Sequence, residues 1–300
     1  DWWCAQLKEH GIYMTWSVFY PLRVTEDCGY PKELLHELDK GRDGLYSTSG
    51  LVNISRGLQD LEREYLEALL THVNPYTKRA YRDDPALAVV EVHNEDCIFF
   101  HNPLNPLAAG KQWPRHSARF RRQFRDWAKE RYETDAALKK AWGTDDSFAS
   151  KEFRIYGAWQ MGHDRKNVRS PKRLGDFIRF CTELQRGFYE RRMEELRAMG
   201  YKAVTVTTAW HAGGAIANPA NLYCDTAADM IDRHNYFGGG AGRHRITTGE
   251  VHNGTHLGQP GKGLPSIGFF QVEDRPFCST EWTQKPPNQW KAESAPLIAF

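Results

Sequence analysis

Val89-Val90-Glu91-Val92-His93-Asn94-Glu95 is the stretch on which the fold turns, a strand that ends in an amide and a carboxylate. Asp83-Asp84-Pro85 stops whatever precedes it, and Ala86 to His93 then reads as apolar on both alternating faces, the pattern of a strand covered on both sides in a parallel sheet. Runs of the same kind recur outward from it. They are Ile12 to Phe19, Ala203 to Ala209, a short one inside Ala227 to Tyr236, and Pro276 to Thr280, which leads into Glu281.

Helical spacing fills the gaps. Leu58, Leu61, Tyr65, Leu69 and Val73 predict one face of a helix over Arg56 to Val73. Pro171 to Met199 predicts a long helix with Leu174, Phe177, Ile178, Cys181, Leu184, Phe188, Met193 and Leu196 on its buried side and Gly200 as its stop. Asp1 to His10 reads as the end of an amphipathic helix, with Trp3 and Leu7 on its apolar face and Gly11 behind it. Tyr20 to Ser55 reads as a long irregular segment, and Phe100 to Trp113 as a Pro- and Asn-rich loop. A basic amphipathic helix over Pro114 to Arg131, a shorter one over Asp135 to Trp142 and a helix starting near Pro287 complete the reading.

Strands that alternate with helices build a parallel sheet with right-handed crossovers. The expected fold class is therefore α/β, a (β/α)₈ TIM barrel forming a single catalytic domain over residues 1–300, with a helical insertion at about 100–170 after the strand carrying Glu95. Five barrel-type strands are visible, beginning near Ile12, Ala86, Ala203, Met230 and Phe277. A closed barrel has eight. The chain is thus expected to be a consecutive piece, incomplete at both ends, lacking two strands in front and one behind.

Composition narrows the function. The 40 Lys and Arg against 38 Asp and Glu leave a formal charge of +2, which creates no long-range field for nucleic acid or an anionic membrane. No apolar run reaches the roughly 18 residues of a transmembrane helix. Six cysteines, without a C-x-x-C pair or regular spacing, argue against a zinc ribbon and leave an isolated disulfide open. The 10 Trp and 12 His suit a protein that stacks on sugar rings as well as an ordinary large core. No targeting segment is visible; secretion or a periplasmic location is what action on polymers would suggest.

The chemistry comes from two strand ends. Asn94-Glu95 and, much later, Glu281 in Pro276-Phe277-Cys278-Ser279-Thr280-Glu281-Trp282 both stand where barrel active sites are built. Two such carboxylates can divide glycosidic cleavage between them, one protonating the leaving oxygen and the other attacking the anomeric carbon. Trp16, Trp210 and Trp282 follow or end strands, where an indole can stack on a pyranose or pack in the core. Glu91 reads as a structural carboxylate inside the barrel, and His93 as a hydrogen-bonded wall residue. Among His211, His234, His244, His252 and His256, the spacing His252-x-x-x-His256 would suit a helical metal site, but Asn253, Gly254 and Gly258 speak against helix there, so no metal is expected. The cations Arg119, Arg121, Arg122 and Arg125 read as a solvated helix face, because Asp126 and Glu130 are interleaved.

Asn94-Glu95 after one strand, His234-Asn235-Tyr236 after a later one and Thr280-Glu281-Trp282 after the next together resemble clan A of the glycoside hydrolases, with some similarity to family 5 cellulase-like enzymes. Leu138-Lys139-Lys140-Ala141-Trp142-Gly143-Thr144 is similar to a helix end in the family 42 β-galactosidases. The resemblance implies a retaining enzyme with Glu95 as acid/base, Glu281 as nucleophile, Asn94 on the sugar 2-hydroxyl, Tyr236 bonded to the nucleophile and His234 nearby. It implies a β-linked neutral glycan or glycoside as substrate, with galactoside, mannan and glucan types open, and no cofactor. The usual arginine after strand two and the strand-eight aromatic have no counterpart in the chain. Two rival readings stand beside this one: a carbohydrate-binding barrel without turnover, and a metal-dependent hydrolase using the histidines.

Overall fold

The computed structural model describes residues 1–150, 153–162, 170–212, 214–237, 247–250, 252–255, 257–258, 268–284 and 288–293. From the N-terminus, α1 (Trp2–Glu9) leads to β1 (Met14–Phe19). The segment expected to be irregular holds β2 (Arg23–Val24), α2 (Lys32–Leu35), β3 (Asp39–Lys40) and β4 (Tyr46–Ser47), the strands pairing antiparallel in the order β2-β4-β3. Then come α3 (Arg56–Thr71), β5 (Leu87–His93), α4 (His101–Ala109), α5 (Pro114–Tyr132), α6 (Asp135–Trp142), α7 (Ala158–Gly162), α8 (Pro171–Ala198), β6 (Val204–Thr208) and α9 (Gly214–Asp225). Four short strands follow: β7 (Ile231–Asp232), β8 (Asn235–Phe237), β9 (Phe277–Cys278) and β10 (Trp282–Gln284).

The parallel strands lie side by side in chain order. β1 pairs with β5 and β5 with β6, Glu91 standing in register between Ser17 and Val206. The Met230 and His234 amides donate to the Thr205 and Ala209 carbonyls at 3.2 and 2.7 Å, which joins β6 to the segment carrying β7 and β8. β7 pairs with β9 and β8 with β10, again parallel. The amides of Ile231, Arg233 and Asn235 carry the ladder across the breaks by donating to Pro276, Cys278 and Glu281. All five expected strands are present in the expected order, but among the described residues the sheet is open, with β1 at one edge and β9 and β10 at the other.

Several local expectations are corrected. α3 buries Leu58, Gln59, Glu62, Leu66 and Leu70, whereas Tyr65 and Val73 are 53% and 55% exposed. Its inner face turns toward Glu62 because that carboxylate is held inside by His93 at 2.9 Å and Arg192 at 3.4 Å. The loop expected at Phe100 to Trp113 is mostly helix. α4 contains Pro106, yet Leu104 and Leu107 are fully buried, Gly110 ends it at φ +70°, and Arg121 and Ser117 from α5 donate to its last carbonyls. Packing and side-chain capping outweigh the bias of its prolines. Arg121 is accordingly a capping residue rather than part of a solvated face.

Trp3 is 64% exposed, so it is not on a buried face of α1. α9, for which the sequence offered no signal, carries Pro219 inside it. Pro287 lies outside the described residues, and Lys291–Glu293 downstream forms a single 3₁₀ turn. All six cysteines are free thiols.

The helices after β5 share the main core rather than forming one of their own. Phe124 of α5 meets Phe177 and Phe180 of α8 at 5.0 and 5.3 Å between ring centroids, and stacks on Trp142 at 5.8 Å. Arg173 lies over Trp142 and pairs with Asp146. Trp142 is the last residue of α6, and Gly143 takes the left-handed φ of +63° that lets the chain leave the helix.

Candidate active site

Asn94 and Glu95 leave β5 at its C-terminal end, where the Asn94 amide donates to the Phe19 carbonyl at 2.9 Å. Glu95 has φ +52°, a left-handed backbone rare outside glycine. Such strain, on the order of 1 to 3 kcal/mol, persists where the surroundings over-determine it and gathers at functional sites. Glu281 sits between β9 and β10, its carbonyl accepting from the Asn235 amide at 2.9 Å. Both glutamates thus occupy the same end of the parallel sheet. One carboxylate oxygen of each and a ring nitrogen of His234 lie within 4.8 Å of one another. The side chain of Glu95 is 22% exposed and that of Glu281 is 41% exposed, so both are open to a substrate.

His234 joins them. Its Nδ1 is 2.8 Å from Glu95 Oε1 and 3.4 Å from Glu281 Oε2, and its Nε2 is 3.1 Å from Thr280 Oγ1. The Thr280 hydroxyl donates to Asp232, whose other oxygen accepts from the Thr280 amide at 3.0 Å. With its proton on Asp232, Thr280 Oγ1 must accept from His234, so Nε2 carries hydrogen. Nδ1 then shares a proton with Glu95. Burial opposes the charged imidazole, but the bond to Glu95 and the charges of Glu281, Asp232 and Glu91 prevail and raise the His234 pKa. Tyr236 donates its hydroxyl to Glu281, and burial together with that bond pushes the phenol pKa up.

Glu91 lies next to this group. It is 2% exposed, and one of its oxygens stands within 4.8 Å of donor atoms of Asp232 and His234. Burial raises its pKa to about 7; a bond from Ser17 and the His234 charge work against the shift, and Asp232 and Glu281 add to it. Among the described residues its Oε1 has no hydrogen-bond partner.

Of the residues singled out in the sequence, Glu95, Glu281, His234 and Tyr236 come together. The Asn94 side chain, next to them, is half-buried. Trp210 packs edge-on against Phe100 at 6.2 Å, and Phe100 lines a pocket of about 190 Å³ with Glu95, Asp96 and Tyr20. Trp282, half-buried, follows Glu281 and pairs in register with Asn235. Trp16 is not at the site: its ring lies 4.4 Å from that of Tyr81 and packs on the core. It belongs to the layer between sheet and helices, because burial there satisfies the indole better than an exposed rim. Asp232 and Thr280 were missed as partners of the site. Thr280 stood inside a quoted motif, but nothing in the linear sequence pairs it with a residue on the neighbouring strand.

The histidine set divides. His211 stacks between Trp210 and Phe270, at 5.1 Å from each. His252 stands in a described loop, and His244 and His256 lie outside the described residues. Among the described residues two triplets of donors are close enough to share an ion, Glu91–Asp232–His234 and Glu95–His234–Glu281. Both nitrogens of His234 face protein oxygens, of Glu95 and Glu281 on one side and of Thr280 on the other.

Residues 55–292 match the sequence model of glycoside hydrolase family 42, described as beta-galactosidase. The beta-galactosidase BgaA of a Thermus species and a beta-galactosidase of Thermus thermophilus are 37% and 36% identical to the chain over 75 residues, 25% of this chain and 11% of each relative. These matches span about a tenth of the relatives' length. Among solved structures, an exo-beta-agarase aligns over 82% of this chain and 28% of its own at 13% identity and TM-score 0.46. A second, PfGH50B, aligns over 86% and 34% at 12% identity and TM-score 0.48.

Proposed function

We propose that this chain, which belongs to glycoside hydrolase family 42, carries the active-site face of a retaining β-glycosidase with Glu95 as acid/base and Glu281 as nucleophile. The observation that carries the reading is the approach of the two carboxylates to within 4.8 Å between their nearest oxygens. Retaining enzymes hold their carboxyl groups about 5 to 5.5 Å apart, while inverting ones keep about 6.5 to 9.5 Å to admit a water. The same reading takes the open parallel sheet as part of a (β/α)₈ barrel in a single catalytic domain, since the pair sits at the C-terminal ends of two parallel strands, β5 and β9, with β6 and β7 between them. The helices between Phe100 and Ser170 are then an insertion that packs on the barrel.

In the first step an oxygen of Glu281 bonds to the anomeric carbon as the glycosidic C–O bond breaks, and Glu95 gives its proton to the departing oxygen. In the second, Glu95 takes a proton from water, whose oxygen displaces Glu281 and restores the original anomeric configuration. Tyr236 holds Glu281 in line through its hydroxyl. Asn94 is set beside Glu95 to bond the sugar 2-hydroxyl, and Trp210 and Trp282 offer ring faces to the sugar. Neither step requires a cofactor. A β-galactoside is the first substrate to try, on the names of the Thermus relatives, followed by β-mannan and β-glucan types. A carbohydrate is the expected partner; nucleic acid is not, and no described helix is long and apolar enough to cross a membrane.

The test is hydrolysis of aryl β-glycosides by the folded wild-type chain and two variants. E281Q should abolish turnover, and E95Q should recover it with added azide as a β-glycosyl azide of retained configuration. An unchanged rate in E281Q removes that residue from the mechanism, and an inverted product removes the double displacement.

A further inference from the structure

A carboxyl group that the two-step reaction does not use lies beneath the catalytic pair. Glu91 is 2% exposed, its Oε1 has no hydrogen-bond partner among the described residues, and it shares a 4.8 Å cluster with Asp232 and His234. Each neighbouring strand presents something to it. β1 offers the Ser17 hydroxyl and β6 the apolar Val206, while the β7–β8 segment brings Asp232 and His234. The charge of Glu281, just before β10, also acts on it. Asp232 is committed to Thr280, and Thr280 to His234, whose other nitrogen faces Glu95. A charge on Glu91 is therefore felt by the pair that holds the catalytic proton.

We propose that Glu91 is a positioning residue whose negative charge, when it ionises, keeps a proton on the Glu95–His234 pair above neutral pH. The inference rests on the reading of Glu95 as acid/base. At acid pH Glu91 is neutral and leaves Glu281 free to be the anion of the site. As pH rises Glu91 becomes charged, consistent with its burial-raised pKa of about 7. A new negative charge within a few ångströms then disfavours loss of the next proton from its neighbours. The acid stays armed to higher pH than it would beside a neutral residue. Nothing is oxidised or transferred, and no bond to substrate is made.

The experiment compares kcat/KM against pH for wild type and E91Q on an aryl β-galactoside with a poor leaving group. Gln keeps the shape of Glu91 and cannot ionise. E91Q should match wild type on the acid side and move the basic limb down by about one pH unit, the scale expected for a like charge within roughly 4 to 6 Å. KM at acid pH should be unchanged. Superimposable profiles, or a limb displaced upward, overturn the proposal. If wild type itself fails to hydrolyse any aryl glycoside, the glycosidase reading fails instead. Should E91Q not fold, S17A leaves the carboxyl in place without its hydroxyl partner and should move the basic limb, whereas an unmoved limb counts against the proposal.

Discussion

Nδ1 of His234 stands 2.8 Å from Oε1 of Glu95, while the opposite nitrogen of the same ring reaches Thr280 at 3.1 Å. One imidazole thereby ties the proposed acid/base to a chain that ends on Asp232. Removing it should leave Glu95 without its proton partner. H234A is expected to lower kcat about 10² to 10⁴-fold on a glycoside with a poor leaving group, the range of general acid–base contributions. The loss should be much smaller on a dinitrophenyl glycoside, whose departure needs little protonation. Equal losses on both substrates would show that His234 does not act through Glu95.

Tyr236 and Glu281 supply the second test. A hydrogen bond to a charged group contributes about 1.5 to 3 kcal/mol, and the Tyr236 hydroxyl is a donor to the carboxylate proposed to attack. Y236F should therefore reduce kcat roughly 10- to 150-fold with little change in the melting temperature. Steady-state kinetics beside a thermal melt decide it. A variant as fast as wild type would show that Glu281 is aligned without the phenol.

Stability should fall as pH rises through the weakly acid range. The folded Glu91 keeps its proton to about pH 7 against an ordinary value of 4.5. Between those values the unfolded chain releases a proton that the folded chain retains, at a cost of at most about 3 kcal/mol, constant above pH 7. His234, whose pKa is raised in the fold, contributes stability below its unfolded value near 6.5 and loses it as pH rises through the folded value. Urea unfolding at pH 5 and pH 8 should show a smaller drop for E91Q than for wild type. Identical drops in the two proteins would mean that Glu91 ionises as freely in the fold as out of it.

Arg233 immediately precedes His234 and is fully buried, with its guanidinium 2.8 Å from Asp225 at the end of α9. Asp225 also accepts from Thr207 of β6 at 3.0 Å. D225N would strand a buried cation, which typically costs about 3 to 5 kcal/mol. A clear fall in melting temperature is expected, and a melt within a degree of wild type would mean that Arg233 finds another partner or water.

The carboxylate pair was legible because it depends on local pattern. Ala86 to His93 and Pro276 to Thr280 announce strands by composition, and a residue just past a parallel strand's C-terminal end is carried to the rim whatever the rest of the chain does. Tyr236 and His234 were readable for the same reason, on the strand end between them. Trp16 was misplaced because strand periodicity does not tell which side of the sheet an aromatic ring will favour when Tyr81 offers it a packing partner. Glu62 escaped for a related cause. A charged residue is expected outside, and only the arrival of His93 and Arg192 from distant segments makes its burial favourable.

The linear sequence determined the parallel α/β order, the two glutamates at strand ends and the aromatic richness around them, since each follows from backbone periodicity and chain order. Tertiary structure alone decided that His234 bridges the glutamates, that Thr280 leans on Asp232, and that Glu91 lies buried among them. Those relations join residues on different strands, where sequence separation carries no information about distance. Burial and like charge shift a proton only between groups already brought together in space.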